Sequence, residues 1–563
     1  MLALDKLTLD EVLKKAAVEN GDKTFVSWVS GDAMTYAEFA EKVETVSNFL
    51  KDQGVTKGDN VAILSENQPN WAVAYFSITI IGAVAVPIMT EFQESEIQHI
   101  LKHSASKAIF ISGKLFDKIE GFQHEALECR VLIDDLSIIP PQTKKDLIKE
   151  IITGGKKELT KIKEAALKFV GWSSTDIKED DIAAILYTSG TTGHSKGVML
   201  SHKNIISDAI ATLQIVEVGC EDRMLSILPL FHTMESTLGM VLPALQGTSV
   251  YYINKPPTAA VLIPAMQKVK PTAMVAVPLI IEKIFKQRIQ PEINSKFLSR
   301  NLYKLPATRK TVHKIAVKKL MKIFGGELRM FCIGGAPLSQ EVEKFMKEGG
   351  FPYAVGYGLT ETSPLLTGTG PEKVRLGSAG MPIPGVEIEI REKNPNTGEG
   401  EIYARGPMVM QGYYKDPEKS GEVLEKDGWF RTGDLGMLDD RGYLYIKGRS
   451  KNVIIGSNGK NIYPEEIESL INESKYVLES LVGDRDGKLI ARVYLNYDII
   501  DEENQITKIK ESKTRVIIDK ILKDLLGEIN GRVASFSKLS KIIEQPEPFK
   551  KTPTQKIKRY LYM

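Results

Sequence analysis

Short apolar runs recur through the first half of the chain: NVAILSE, AVAVPI, KAIFIS, CRVLIDD, AAILYTS, RMLSILP and TSVYYI. Helical patterns separate them. Unbroken apolarity over a strand's length predicts strands buried on both faces, and intervening helices predict parallel sheets that bind ligands at their C-terminal ends. From about residue 375 the texture changes. GVEIEIRE, GEIYARG and GYLYIKGR alternate apolar and polar positions between Gly or Asn turns, predicting a small β-barrel or distorted sheet. Beyond Arg449, PEEIESLINES reads as a helix, and LESLVGDRDGKLIARVYLNY as two strands about an Asp-Gly turn. The fold class is therefore α/β. A large N-terminal domain of parallel-rich sheets with helices spans residues 1–448 and carries the β-barrel-like subdomain at about 375–448; an α+β C-terminal domain spans 449–563.

The stretch from Trp71 to Met89 is apolar over a membrane-spanning length, but Gly82 and Pro87 divide it into a helical half and a β-branched half. That pattern suits a buried helix feeding a buried strand. The opening segment MLALDKLTLDEVLKKAAVENGD is an amphipathic, acid-containing helix pattern without a cleavable apolar core. The expectation is a soluble, cytoplasmic protein.

A chain of 563 residues exceeds one core and implies several packed units. Its 74 basic and 72 acidic side chains leave a net charge of +2, so no global field draws nucleic acid, and any anion site is local. Cys129, Cys220 and Cys332 form no C-x-x-C pair, which argues against zinc and disulfide scaffolds and fits a reducing compartment. His99 and His103, one turn apart with Glu96 before them, could share a metal, but a solvated helix face suits them better. Residues Pro141 to Lys168 hold eight lysines against four acids. A solvated face accounts for these, with peripheral contact to an anionic membrane surface as the alternative. The stretch from Phe285 to Phe324 is also basic and helical, a lid or an insertion.

YTSGTTGHSKGVMLSH, Tyr187 to His202, follows a buried strand pattern with three glycines, five Ser/Thr hydroxyls and a lysine in its first eleven residues. Glycines let backbone N–H groups converge, hydroxyls add donors and Lys196 adds charge, so Thr188, Ser189, Gly190, Thr191, Thr192, Gly193 and Lys196 are a candidate phosphate cradle. It is not a Walker loop. Ser195 occupies the place of the second glycine, and Gly197 follows the lysine where a hydroxyl residue belongs. Alone, it could equally be a surface turn.

Further motifs follow in order: PLFHTMES (229–236), IGGAPL (333–338), GYGLTET (356–362), GWFRTGDLG (428–436), KGRSKNVIIGSNGKNIYPEEIE (447–468) and TPTQKIKR (552–559). Together with the loop they resemble the adenylate-forming superfamily of acyl-CoA synthetases, adenylation domains and luciferases. The resemblance implies that the loop holds the triphosphate of ATP while a carboxylate attacks the α-phosphorus. It implies Gly334, Gly335, Ala336, Gly356, Tyr357 and Gly358 about the adenine, Thr360 near the phosphates, Glu361 on Mg²⁺, and Asp434 and Arg449 at the ribose. Lys556 matches the family lysine that bridges the substrate carboxylate and the α-phosphate. Lys451 matches the hinge about which a mobile C-terminal domain rotates, bringing Gly459 and Lys460 to a thiol tunnel for CoA.

TPTQK, together with the helical segment before GGELRM, resembles the long-chain fatty acyl-CoA synthetases. His232 falls beside the implied acyl channel, although Thr233, Met234, Glu235 and Ser236 supply no aromatic gate. The expected substrates are a medium- to long-chain fatty acid, ATP with Mg²⁺, and CoA. A fatty acyl-AMP or acyl-carrier-protein ligase is the alternative.

Overall fold

The computed structural model describes residues 1–140, 143–146, 148, 160–162, 175–188, 195–291, 306–455, 461–485, 487–505, 511–552 and 556–563. Two large sheets dominate. In the first, the parallel strands Ile182–Thr188, Val84–Pro87, Asn60–Leu64, Ala108–Ile111 and Cys129–Leu132 lie in that spatial order. In the second, Tyr353–Gly358, Met330–Ile333, Ala273–Ala276, Arg223–Ser226, Ser249–Tyr252 and Thr24–Trp28 are parallel neighbours. Every apolar run named above is a strand, because a parallel sheet covered on both faces demands side chains that lose nothing by leaving water.

Antiparallel edges carry much of the site. Strand Lys196–Ser201 returns against Ile182–Thr188, pairing Lys196 with Thr188 and Gly197 with Tyr187. The candidate phosphate loop therefore joins two antiparallel strands and does not open directly onto a helix N-terminus. Helix His202–Leu213 begins only after the second strand, where Ser201 and Asn204 form a capping box. Leu365–Gly368 likewise folds back on Tyr353–Gly358.

The Trp71–Met89 stretch divides as its glycine and proline imply. Helix Pro69–Thr79 is buried along its whole length, Gly82 turns the chain at φ +74, and Val84–Pro87 enters the first sheet. Burial of a side chain such as Trp71 or Phe76 contributes about 1.5–3 kcal/mol, so this segment is a core of the fold. No helix among the described residues is long and apolar enough to cross a membrane.

The alternating strands after residue 375 form a four-stranded antiparallel sheet, Glu387–Arg391, Gly400–Arg405, Phe430–Leu438 and Leu444–Arg449. This is the distorted-sheet form of the expectation, with a register shift between Leu435 and Gly436. Beyond it, helix Pro464–Asn472 and helix Glu511–Arg532 pack with the hairpin Val477–Arg485/Lys488–Leu495 and strand Lys541–Glu544 around their own apolar cluster. The basic run of residues 141–168 lies mostly outside the described residues. Of the basic stretch 285–324, the π-helical turn Phe285–Ile289 and helix Pro306–Ile323 are described.

Candidate active site

The site forms where the C-terminal ends of the second sheet's strands meet the four-stranded sheet. Strand Met330–Ile333 ends in the turn containing Gly334, Gly335 and Ala336; Gly335 has φ +82, and Gly335 and Ala336 are exposed. A Cβ on Gly334 would come within 3.3 Å of the Met234 thioether. Tyr353–Gly358 runs beside it and presents Tyr357 between two glycines. A Cβ on Gly356 would stand 2.7 Å from Leu365 Cδ1, and one on Gly358 only 1.8 Å from the Pro364 carbonyl oxygen. Close packing of the hairpin thus requires Gly358, where a Cβ would meet backbone, whatever lies on its other face; at Gly356 the near atom is the end of a flexible side chain. Asp208, fully buried and pushed well up by burial, accepts the Leu365 N–H at 2.8 Å and ties the hairpin to helix His202–Leu213.

Tyr357, Asp434 and Arg449 form one polar unit. The Tyr357 hydroxyl donates to Asp434 Oδ2 at 2.7 Å, and Arg449 Nε pairs with Oδ1 at 2.9 Å. Strand pairing sets Asp434 directly opposite Arg449. Burial raises the Asp434 carboxyl, while Arg449, Tyr357 and Lys556 pull it back down. Each oxygen keeps a second lone pair, so the carboxylate can still accept two hydroxyl donors such as those of a ribose. The Tyr357 hydroxyl is pushed well up, by burial and then by Asp434.

Tyr413 links the cationic and anionic parts of the site, and sequence reasoning missed it. The Lys196 ammonium lies over its ring, 4.6 Å from the centroid, and its hydroxyl donates to Glu361 Oε1 at 3.0 Å. Its strand, Gly412–Tyr413, pairs with Lys196–Ser201, and the Met410 N–H donates to the Glu361 carbonyl at 2.9 Å. Thr360 and Glu361 stand in a single 3-10 turn just past Gly358. A carboxylate keeps lone pairs beyond the one Tyr413 uses and is a hard oxygen donor, so Glu361 fits Mg²⁺.

Lys556 reaches the same place from the far end of the chain. Its ammonium is pushed down by desolvation and by Arg449 and is held up by Asp434 and Glu361. By surface area it is exposed. The two observations agree for a side chain on a cleft wall, where protein crowds one side and water reaches the other. His232, half-buried by area, is pushed down to about 4 by burial and by the Lys556 ammonium, so its imidazole is neutral at neutral pH.

Behind His232, the helical turn Thr233–Ser236 is anchored by Glu235, whose Oε1 accepts the Ser226 hydroxyl at 2.5 Å. Asn67 donates to Ser226 Oγ at 3.0 Å and accepts the Leu230 N–H at 2.8 Å. These polar groups fasten the segment leading to His232 to both large sheets.

Ser189, Gly190, Thr191, Thr192 and Gly193 of the phosphate loop, and Gly459 and Lys460 of the implied thiol tunnel, lie outside the described residues. The strand ends Thr188 and Lys196 fix where the loop departs and returns. Lys451 is exposed in the 3-10 turn Ser450–Asn452, immediately after the strand that ends at Arg449. His103 leaves the solvated face expected of it: its Nδ1 lies 2.7 Å from the Tyr187 hydroxyl.

Comparison with known proteins bears on the family and the fold. The chain is 27% identical to long chain acyl-CoA synthetase 7, peroxisomal, of Arabidopsis thaliana, over 93% of this chain and 79% of that protein. It is also 27% identical to the long-chain-fatty-acid–[acyl-carrier-protein] ligase AEE15, chloroplastic, of the same plant, over 93% of this chain and 80% of that one. The fold matches that of o-succinylbenzoate CoA synthetase from Bacillus subtilis, solved with its acyl-adenylate intermediate, at a TM-score of 0.73 and 23% identity over 98% of this chain and 97% of that one. The model of the AMP-binding enzyme family matches residues 13–414, and the chain belongs to that family.

Proposed function

We propose that this adenylate-forming ligase activates a medium- to long-chain fatty acid and transfers it to CoA. The observation that carries the reading is the meeting of Lys556 with Glu361, Asp434, Arg449 and His232 in one cleft. A lysine so far along the chain has no part in merely holding a nucleotide that Tyr357, Asp434 and Arg449 already receive. It suits a step in which two anions must approach.

In that step the fatty carboxylate attacks the α-phosphorus of ATP, a mixed anhydride forms and pyrophosphate leaves. Like charges about 4 Å apart cost about 1 kcal/mol in water and several times that in a drier cleft, and Lys556 between them offsets this repulsion. Lys196 and the loop hydroxyls, Thr188 among them, stabilise the charge that collects on the leaving group. Mg²⁺ held by Glu361 would neutralise phosphate oxygens as a Lewis acid. Neutral His232 borders the acyl group without a competing charge. The CoA thiol then attacks the acyl carbonyl and displaces AMP. Rotation of residues 449–563 about Lys451 would withdraw Lys556 and bring Gly459 and Lys460 forward, so that one cleft serves both half-reactions.

Substrate length is argued from burial: each CH₂ entering an apolar channel gains about 0.8 kcal/mol. With saturating ATP, Mg²⁺ and CoA, kcat/KM is expected to climb steeply with acid chain length up to a medium- or long-chain optimum. A preference for acetate or an aromatic acid would overturn the substrate assignment. A fatty acyl-AMP or acyl-carrier-protein ligase is the second reading, with which the likeness to an acyl-carrier-protein ligase is consistent; the same assay decides when reduced carrier protein replaces CoA as the thiol.

A further inference from the structure

Helix Pro278–Ile284 runs on into the π-helical turn Phe285–Ile289, a widening of the helix that often presents side chains at functional positions. From this turn Lys286 Nζ donates to the carbonyl of Asn472, the last residue of helix Pro464–Asn472. The partners stand on opposite sides of Arg449, 186 residues apart in sequence. The last carbonyls of a helix have no intrahelical donor and carry partial negative charge, so an ammonium is a fitting cap.

The surroundings of Lys286 are built for a cation. Desolvation pushes its ammonium down, while Glu282, Glu341 and Glu473 hold it up. Glu282 also accepts the Ser339 N–H at 2.9 Å, so the chain leaving the Gly334–Ala336 turn is fastened to a carboxylate that faces Lys286. Across the contact, Glu473 pairs with Arg532 at 2.7 Å on the helix Glu511–Arg532. One lysine therefore joins the nucleotide-facing turn, through Glu282, to the end of the helix that heads the Lys556-bearing part of the chain.

We propose that Lys286 is a positioning residue for adenylation, a latch that caps helix Pro464–Asn472 and so seats Lys556 over the nucleotide cleft. This role, which rests on the function proposed above for Lys556, requires a contact strong enough to favour one orientation and weak enough to release. A single charged hydrogen bond to a backbone carbonyl has that strength, and its loss corresponds to about a tenfold effect. Glu282 and Glu341, which lie on the same side of the contact as Lys286, would still favour its charge after release.

The test uses the full-length protein and both half-reactions, acid-dependent pyrophosphate release and thioester formation from supplied acyl-AMP. Lys286→Met is expected to lower kcat of adenylation about tenfold, with KM for ATP and acid little changed and thioester formation preserved. Lys286→Arg is expected to restore most of the loss. In a Lys556→Ala background the Met substitution is expected to have no further effect, because a latch acts only through the group it seats. Equal slowing of both half-reactions, unimpaired adenylation, or an additive loss in the Lys556→Ala background would overturn the latch and leave the reading of Lys556 standing. Full adenylation by Lys556→Ala alone would instead overturn the reading on which the latch rests.

Discussion

Glu235 shows how a single residue sets terms for the site. It is fully buried, and burial pushes its carboxyl up to about 8. The native state then keeps a proton that the unfolded chain releases near its ordinary value of 4.5. Between those limits the native state binds more protons, so this group's contribution to stability falls as pH rises from about 4.5 to about 8 and is level above. Glu235→Gln keeps an acceptor for Ser226 and removes the titration. Denaturant melts should show wild type and variant equally stable near pH 4, and the variant ahead by on the order of 5 kcal/mol above pH 8. A gap independent of pH would contradict a buried neutral acid. Little of this was legible in PLFHTMES, where Glu235 reads as a polar helix residue; its burial depends on Ser226 and Asn67, which arrive from two different sheets. Tyr413 was hidden for the same reason. Its partners Lys196 and Glu361 come from distant segments, and no local spacing announces them.

At the scale of elements, the strands were the most legible part, since a run such as NVAILSE or KAIFIS is too apolar for any place but a covered sheet. The direction of pairing was less so. Nothing in YTSGTTGHSKGVMLS distinguishes a loop that opens a helix from one that joins antiparallel strands, because the pairing of Thr188 with Lys196 is a long-range property of the sheet. The resemblance puts the glycines of GYGLTET about the adenine, and it gives no sign that the nearest atoms to their Cβ positions belong to Pro364 and the returning strand. Gly358→Ala would place a methyl 1.8 Å from the Pro364 oxygen, which also accepts the Leu359 N–H at 3.0 Å. The hairpin must open, at a cost of about 3 kcal/mol, and Tyr357 must move off Asp434. Thermal melting should fall by several degrees and adenylation should fall with it. Wild-type melting and rate in this variant would show that the hairpin yields more easily than its packing implies.

For the molecule as a whole, the fold brings Lys556, near the C-terminal end, to charged residues from the middle of the chain. The family match ends at residue 414, yet Asp434, Arg449 and Lys556 complete the cleft from beyond it. The order of motifs made the chemistry legible, but the convergence of Lys556 with Glu361 and His232 was open to sequence reasoning only through the resemblance. The most direct measurement replaces Lys556 by Ala and follows the two half-reactions separately. Acid-dependent pyrophosphate release should fall by roughly three orders of magnitude, about 4 kcal/mol of transition-state stabilisation, while thioester formation from supplied acyl-AMP and CoA continues near the wild-type rate. Equal loss in both half-reactions, or none in the first, would contradict a lysine that serves adenylation and then leaves the cleft.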